Sequence, residues 1–435
     1  MLTTEAVLAL APDDASVKSA RGLVSPAKWP LRGADGSAVW GECQGSGSKP
    51  YQTQVDLTGP AFRCTCPSRK FPCKHGLALL LMRVQDGAAF SGGPPPGWVT
   101  EWLASRAEKA EKQEARAAVR PETRVDPDAS DKREAQRWQR IEAAGEDLMR
   151  WLADQLAQGL GSLDAAAVAT WRTMAARLVD AQAPGLARLV REAADGAGDA
   201  PERTLARLAM LQLACDGLTR RSSLPALEQA DLRTLIGWPL DRADVSAQGT
   251  PVPDIWCVLA VALDEREPKL TERRVWLHGQ RSGRRALLLD HAFAGKGFEQ
   301  GWVPGIAFEG TLVFYPSAAP LRALCDAPRI AGVGSLPSAE GEWQRVAERV
   351  AANPFVPLHP ILWRDAVMVH ADHWLAVSAG RALPLAIDSA DAWALQARGG
   401  GRPLHLAGEW DGRRFTPLTA WTGDGLPPVW QRGVS

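Results

Sequence analysis

At 435 residues the chain exceeds what one hydrophobic core usually serves, so about two to four domains are expected. Its 50 Lys and Arg balance 50 Asp and Glu, and 46% of the residues are hydrophobic, which excludes both a general polyanion binder and a disordered acidic scaffold. No apolar run reaches the roughly eighteen residues of a membrane span, and Met1–Val7 does not lead a basic segment into a long apolar one, so a soluble, cytoplasmic protein with no membrane partner is expected.

The spacing from Thr3 to about Ala20 predicts a helix broken at Pro12. Ser37–Gln44 and Tyr51–Leu57 predict two strands, joined by the loop Gly45-Ser46-Gly47-Ser48. Directly after them comes the most specific chemical signal in the chain, Cys64-Thr65-Cys66, six residues, then Cys73-Lys74-His75. Structural zinc takes four Cys or His ligands in a tetrahedron, and Cys3His is an established set. Two close pairs act as two arms of a clamp, and Pro67 and Pro72 limit the freedom of the loop between them. Four protein ligands would close the shell, which argues against a catalytic ion. Two other chemistries are open to these thiols: a disulfide, disfavoured by the odd total of seven Cys and the lack of a visible secretory signal, and a redox site, which would more usually show Cys-x-x-Cys. Gly76–Arg83 then predicts a short buried helix.

This stretch resembles the SWIM zinc finger, whose pattern is CxC, a variable gap and CxH. Cys64, Cys66, Cys73 and His75 match its four ligand positions, and Trp40–Tyr51 together with Pro67–Lys74 is similar to bacterial SWIM-finger proteins. The finger covers only about a tenth of the chain. The resemblance implies a ββα zinc module holding one structural Zn2+, of a kind that binds DNA or other proteins, and it does not imply an enzyme or any catalytic residue. It also implies a setting, since similar bacterial proteins are associated with MoxR-type AAA+ ATPases and von Willebrand A-domain proteins.

Between Met1 and Arg83 ten Lys or Arg face six Asp or Glu, a net of +4. Arg63, Arg69, Lys70 and Lys74 lie among the ligands. Two accounts of them stand: contact with nucleic-acid phosphates, or compensation of the negative charge that three thiolates bring to one Zn2+.

Ser91–Gly97, rich in Gly and Pro, closes the first module, taken as residues 1–92. Residues 93–135 are expected to be a charged linker containing Pro and Gly, with a solvated helix first. Apolar stripes then predict a helical domain over 136–240: Trp138, Ile141, Leu148, Leu152 and Leu156; Trp171, Met174, Leu178 and Val179; Leu186, Leu189 and Val190; Leu205, Leu208, Leu211 and Cys215. A bundle is favoured over an α-solenoid because no fixed repeat period is visible.

Beyond Trp238-Pro239 the period changes. Ile255–Leu263, Arg274–Gly279, Arg285–Asp290 and Gly310–Pro316 predict a β-rich domain over 250–335, with a hairpin turn at Ser282-Gly283. A helix marked by Trp343, Val346 and Val350 precedes a C-terminal β-rich domain over 340–435, with strands in Ala366–Val377, Arg381–Ala386, Leu404–Trp410 and Phe415–Trp421. The fold class is therefore α+β multidomain: a small ββα zinc finger module, an all-α helical domain and β-rich C-terminal domains.

Other chemistry is sparse. The 18 Trp residues could stack ligands, but strand positions such as Trp256, Trp276, Trp374 and Trp410 are expected in cores. His370-Ala371-Asp372-His373 is expected to be a turn rather than a metal site, and Cys43, Cys215, Cys257 and Cys325 to be small buried residues. The leading expectation is a non-enzymatic zinc-binding adaptor, with a DNA-binding protein using the basic finger as the alternative and an enzyme hidden in the β-rich half as a third.

Overall fold

The structure, a computed structural model of the 435-residue chain, describes residues 4–11, 14–45, 49–57, 61–68, 72–106, 127–160, 165–195, 201–238, 240–267, 270–293, 298, 300–325, 328–424 and 427–433. It is a mixed α+β multidomain fold in which the described strands form three antiparallel sheets.

The first sheet runs β1 (Leu31–Ala34), β2 (Ala38–Cys43), β3 (Tyr51–Asp56) and β4 (Ala61–Cys64) in sequence order. Alternation decides its two faces. Val39 and Val55 point toward α3 (Lys74–Gln85), while Ala38 and Trp40 point the other way. α1 (Thr4–Ala9) and α2 (Asp14–Arg21) cover the far side of α3, so His75 through Met82 are all buried. Gly41 on β2 makes this layer thin, because a Cβ there would sit 2.8 Å from Trp29 and 3.1 Å from Leu79.

The opposite face of the sheet is covered by α4, described over 97–106. Its Val99 is fully buried against Ala38 and Trp40, and Arg106 pairs with Asp56 at 3.0 Å. The solvated helix expected at the start of the 93–135 linker is thus a packed one. The end of that stretch differs as well: α5 (Pro127–Gln158) begins at a proline, which suits the first turn of a helix because its missing N–H has no intrahelical partner there. Residues 107–126 of the expected linker lie outside the described residues.

Helices α5, α6 (Ala165–Asp180), α7 (Pro184–Asp195), α8 (Pro201–Thr219) and α9 (Ala226–Leu235) close around one shared core rather than stacking as a solenoid. Trp171 is fully buried in it, and its Nε1 donates to Gln155 Oε1 at 2.7 Å. Prolines open α7 and α8 as they open α5. Four residues expected on core stripes are exposed instead: Leu156, Val179, Leu205 and Val350. Leu156, Val179 and Val350 occupy the last turns of their helices, where periodicity continues but cover must come from elsewhere.

A short α10 (Arg242–Gln248), capped by Asp241 accepting from the Asp244 N–H at 2.8 Å, leads into the second sheet. That sheet has the order β10 (Arg329–Val333), β8 (Ile306–Phe314), β5 (Thr250–Glu267), β6 (Leu270–Gly279) and β7 (Arg285–Phe293), with β9 (Ala323–Cys325) added to β8. The third sheet follows α11 (Glu342–Ala352) and runs β13 (Arg381–Pro384), β12 (Trp374–Ser378), β11 (His359–His370), β14 (Leu404–Trp410), β15 (Phe415–Trp421) and β16 (Trp430–Gln431), with α12 (Ser389–Gly399) inserted before β14.

The second and third sheets share an inner layer, in which Cys257, Leu259 and Trp276 meet Leu362, Ala407, Leu418 and Trp421. Trp256, Val258, Val275 and Leu277 fill the outer face of the second sheet. Burial on both faces explains why Ile255–Leu263 is a continuous apolar run rather than an alternating one. Trp256, Trp276 and Trp374 are buried, and Trp410 is half-buried against Trp343 with ring centroids 5.3 Å apart. Cys43, Cys215 and Cys257 are buried, whereas Cys325 is only partly so.

Candidate metal centre

The four ligands of the Cys-x-Cys and Cys-x-His pairs arrive from three kinds of local structure. Cys64 ends β4, Cys66 lies in the loop after it, Cys73 is the N-cap of α3 and His75 sits in the first turn of that helix. Their ligand atoms all lie within 4.8 Å of one another, and Cys64 Sγ is 3.7 Å from His75 Nδ1. A tetrahedral ion with arms of about 2.3 Å to sulfur and about 2.0 Å to nitrogen separates its ligand atoms by roughly 3.5–3.8 Å. The donor set and the spacing both fit one Zn2+.

The strand register holds the first pair in place. Thr53 pairs with Cys64 across β3 and β4, and the ladder extends one step further where Thr65 N donates to Gln52 O at 3.0 Å and Gln52 N donates to Thr65 Oγ1 at 3.0 Å. Thr53 Oγ1 lies 3.2 Å from Cys64 Sγ, so its hydroxyl can donate to a thiolate there. The Tyr51 ring packs on His75 with centroids 5.0 Å apart and fixes the imidazole plane. Sequence reading missed both residues; the register that would have found them depends on β4, whose four residues carry no clear strand pattern.

The second pair is positioned by α3. The helix N-terminus favours negative charge at Cys73, and the Gly76 N–H is directed at its sulfur. Gly76 has a packing role too, because a Cβ on it would stand 3.0 Å from the Phe62 ring. Crowding of the ligands shows in their proton affinities. Hydrogen bonds from Cys64 and Cys73 hold the Cys66 thiol far below its ordinary range, while those with Cys64 and then Cys66 push Cys73 up. Burial presses His75 down, but its contacts with Cys64 and Cys66 outweigh this and carry it up to about 9. Zinc would relieve that competition, because it takes all three sulfurs as thiolates and the imidazole as neutral.

Of the basic residues among the ligands, Arg63 and Lys74 are exposed, and Arg69 and Lys70 lie outside the described residues. Ser16, Ser19, Tyr51, Pro67 and Lys74 border an open cavity of about 410 Å3 beside Cys66 and His75. His370–His373 forms the turn between β11 and β12, with Ala371 N donating to His373 O at 3.1 Å. Among the described residues no other group of three or more Cys, His, Asp or Glu gathers its ligand atoms in this way.

A closed Cys3His clamp joining a strand pair to a helix defines a zinc-finger protein whose ion serves the fold. A family model for the SWIM zinc finger matches residues 51–83, which span β3, β4 and α3, the ββα unit itself. A second model, for the SWIM-associated four-helix bundle domain, matches residues 136–236. The chain thus carries a SWIM zinc finger followed by the SWIM-associated bundle. No curated protein and no solved structure matches the chain. Among the described residues no helix is long and apolar enough to cross a membrane.

Proposed function

We propose that the protein is a non-enzymatic, cytoplasmic adaptor in which zinc fixes the amino-terminal module and the remaining surfaces bind protein partners. The observation that carries this reading is the burial of His75 through Met82 on α3. A finger that reads a DNA groove presents its helix to the bases, whereas this helix is enclosed by β2, β3, α1 and α2. The closed ligand set leaves no open position on zinc for a substrate. The partners proposed are a MoxR-type AAA+ ATPase and von Willebrand A-domain proteins, on the strength of the SWIM resemblance.

The test is affinity purification of the full-length protein from its native host, with and without nuclease, followed by mass spectrometry. Stoichiometric recovery of an AAA+ ATPase or a von Willebrand A-domain protein, unaffected by nuclease, is expected. Recovery of nucleic acid with no protein partner, and loss of that binding in Arg69→Glu/Lys70→Glu, would overturn the adaptor in favour of a DNA-binding finger.

A further inference from the structure

Outside the Cys/His cluster, the turn between β6 and β7 faces α11 across a cleft of about 330 Å3. Arg284 and Arg285 line it from the strand side, and Arg345, Glu348 and Arg349 line it from the helix. Glu342, Arg345 and Arg349 stand at i, i+3 and i+7, so they share one face of α11.

The charges of this cluster do not balance. Glu342 is buried and accepts from both Arg285 and Arg345, but through the same oxygen, Oε1. Arg345 Nη2 also donates to Glu340 O at 2.8 Å, Arg285 meets His278 Nδ1, and Arg349 Nε donates to His359 Nδ1 at 3.4 Å. Burial and the neighbouring arginines hold both rings down to about 4, so they are neutral acceptors at physiological pH. Asp254 on the far side of the turn spends its carboxylate on Ser282 and on the backbone N–H groups of Ile255, Arg281 and Ser282. Arg284 and Glu348 add one charge of each sign to the lining, with Glu348 accepting from Gln344 Nε2 at 3.0 Å. Three guanidiniums thus share one carboxylate, an excess of two positive charges.

The donors are also incompletely used. Arg285 has a side chain only 2% exposed, yet its Nε, along with Arg345 Nε and Arg349 Nη2, is buried without a hydrogen-bond partner among the described residues. Buried guanidinium donors normally find acceptors, and a planar fork of N–H groups matches phosphate oxygens. We propose that this cleft binds the dianionic phosphate of a small phosphorylated molecule, clamped between Arg285 on the sheet and Arg345 and Arg349 on the helix. A phosphate supplies the missing charge of about −2 and several strong acceptor oxygens. The cleft is of a size with room for a small organic body beyond the phosphate.

The experiment is calorimetric titration of the full-length, zinc-loaded protein with sodium pyrophosphate at low ionic strength, against sodium chloride matched in ionic strength. Saturable one-site binding is expected with pyrophosphate alone. Arg345→Gln and Arg349→Gln should each weaken it tenfold or more with circular dichroism unchanged, while Arg203→Gln on the exposed side of α8 should not. Arg345 is about a third exposed, at 35%, so its truncation tests the site even where Arg349→Gln disturbs folding. Absence of saturable binding to the wild-type protein, undiminished binding in a folded Arg345→Gln, or equal weakening by Arg203→Gln would each overturn the proposal.

Discussion

Arg274 on β6 grips Glu409 on β14 with both arms, Nε to Oε1 at 2.7 Å and Nη2 to Oε2 at 2.9 Å, although 135 positions separate them. Trp276 Nε1 donates to the same Oε1 at 2.7 Å. The pair therefore pins the second sheet to the third at the edge of their shared apolar layer. Glu409→Gln would set an amide NH2 against one of the two guanidinium donors that Glu409 now accepts, while Asp264 and Glu272 still meet Nη1. A loss of about 1–3 kcal/mol is expected, read by denaturant unfolding.

Two glycines in the helical bundle should respond in opposite directions to alanine. A Cβ on Gly185 would fall 1.9 Å from Leu235 O, where α7 meets the end of α9, and neither backbone can yield readily. Gly185→Ala should destabilise by about 2–3 kcal/mol. Gly217 on α8 has room, its nearest contact being Leu232 Cδ1 at 3.6 Å, so Gly217→Ala should stabilise by up to about 1 kcal/mol through helix propensity. Thermal melts of the two variants check both signs.

Stability should fall in acid through His278 and His359. Burial first, then Arg285 near His278 and Arg349 near His359, holds each at about 4 in the folded protein, against about 6.5 in an unfolded chain. Below about pH 6.5 the unfolded state binds protons that the native state does not, so stability is full above that pH and declines as pH falls toward about 4. His278→Gln/His359→Gln keeps acceptors for the arginines. Relative to wild type it should flatten this slope by up to about one proton per site, measured from unfolding free energies across that window.

Thr53 should tune the metal without ligating it. Thr53→Val removes the hydroxyl 3.2 Å from Cys64 Sγ and nothing larger. Zinc affinity, measured by competition with a chelator, is expected to drop by about tenfold or more.

What the sequence discloses here depends on how local each signal is. The zinc clamp is legible because its four ligands span twelve positions and their spacing is itself the geometry. The strands β2, β3, β6 and β7 are legible from apolar pattern and turn residues, but β1 and β4 are four residues each and carry Gly33 or a lone Phe62 as their only cues. Helix α12 escapes notice because only Ala392, Leu395 and Gly399 face inward, a stripe too small to stand out beside the exposed Trp393. Its Asp388 cap, accepting from Asp391 N at 2.8 Å, is the signal that could have found it. Pairings across long separations, such as Arg274 with Glu409 or Arg285 with Glu342, leave no trace in a single sequence. The face-to-face packing of the two larger sheets belongs with them.

The central claim is that Cys64, Cys66, Cys73 and His75 hold one structural zinc on which the amino-terminal module depends. Elemental analysis of the full-length protein, paired with circular dichroism, tests it most directly. One zinc per chain is expected, lost in Cys66→Ser and His75→Ala together with a measurable fall in thermal stability. A wild-type protein that is fully folded and carries no metal would contradict the account.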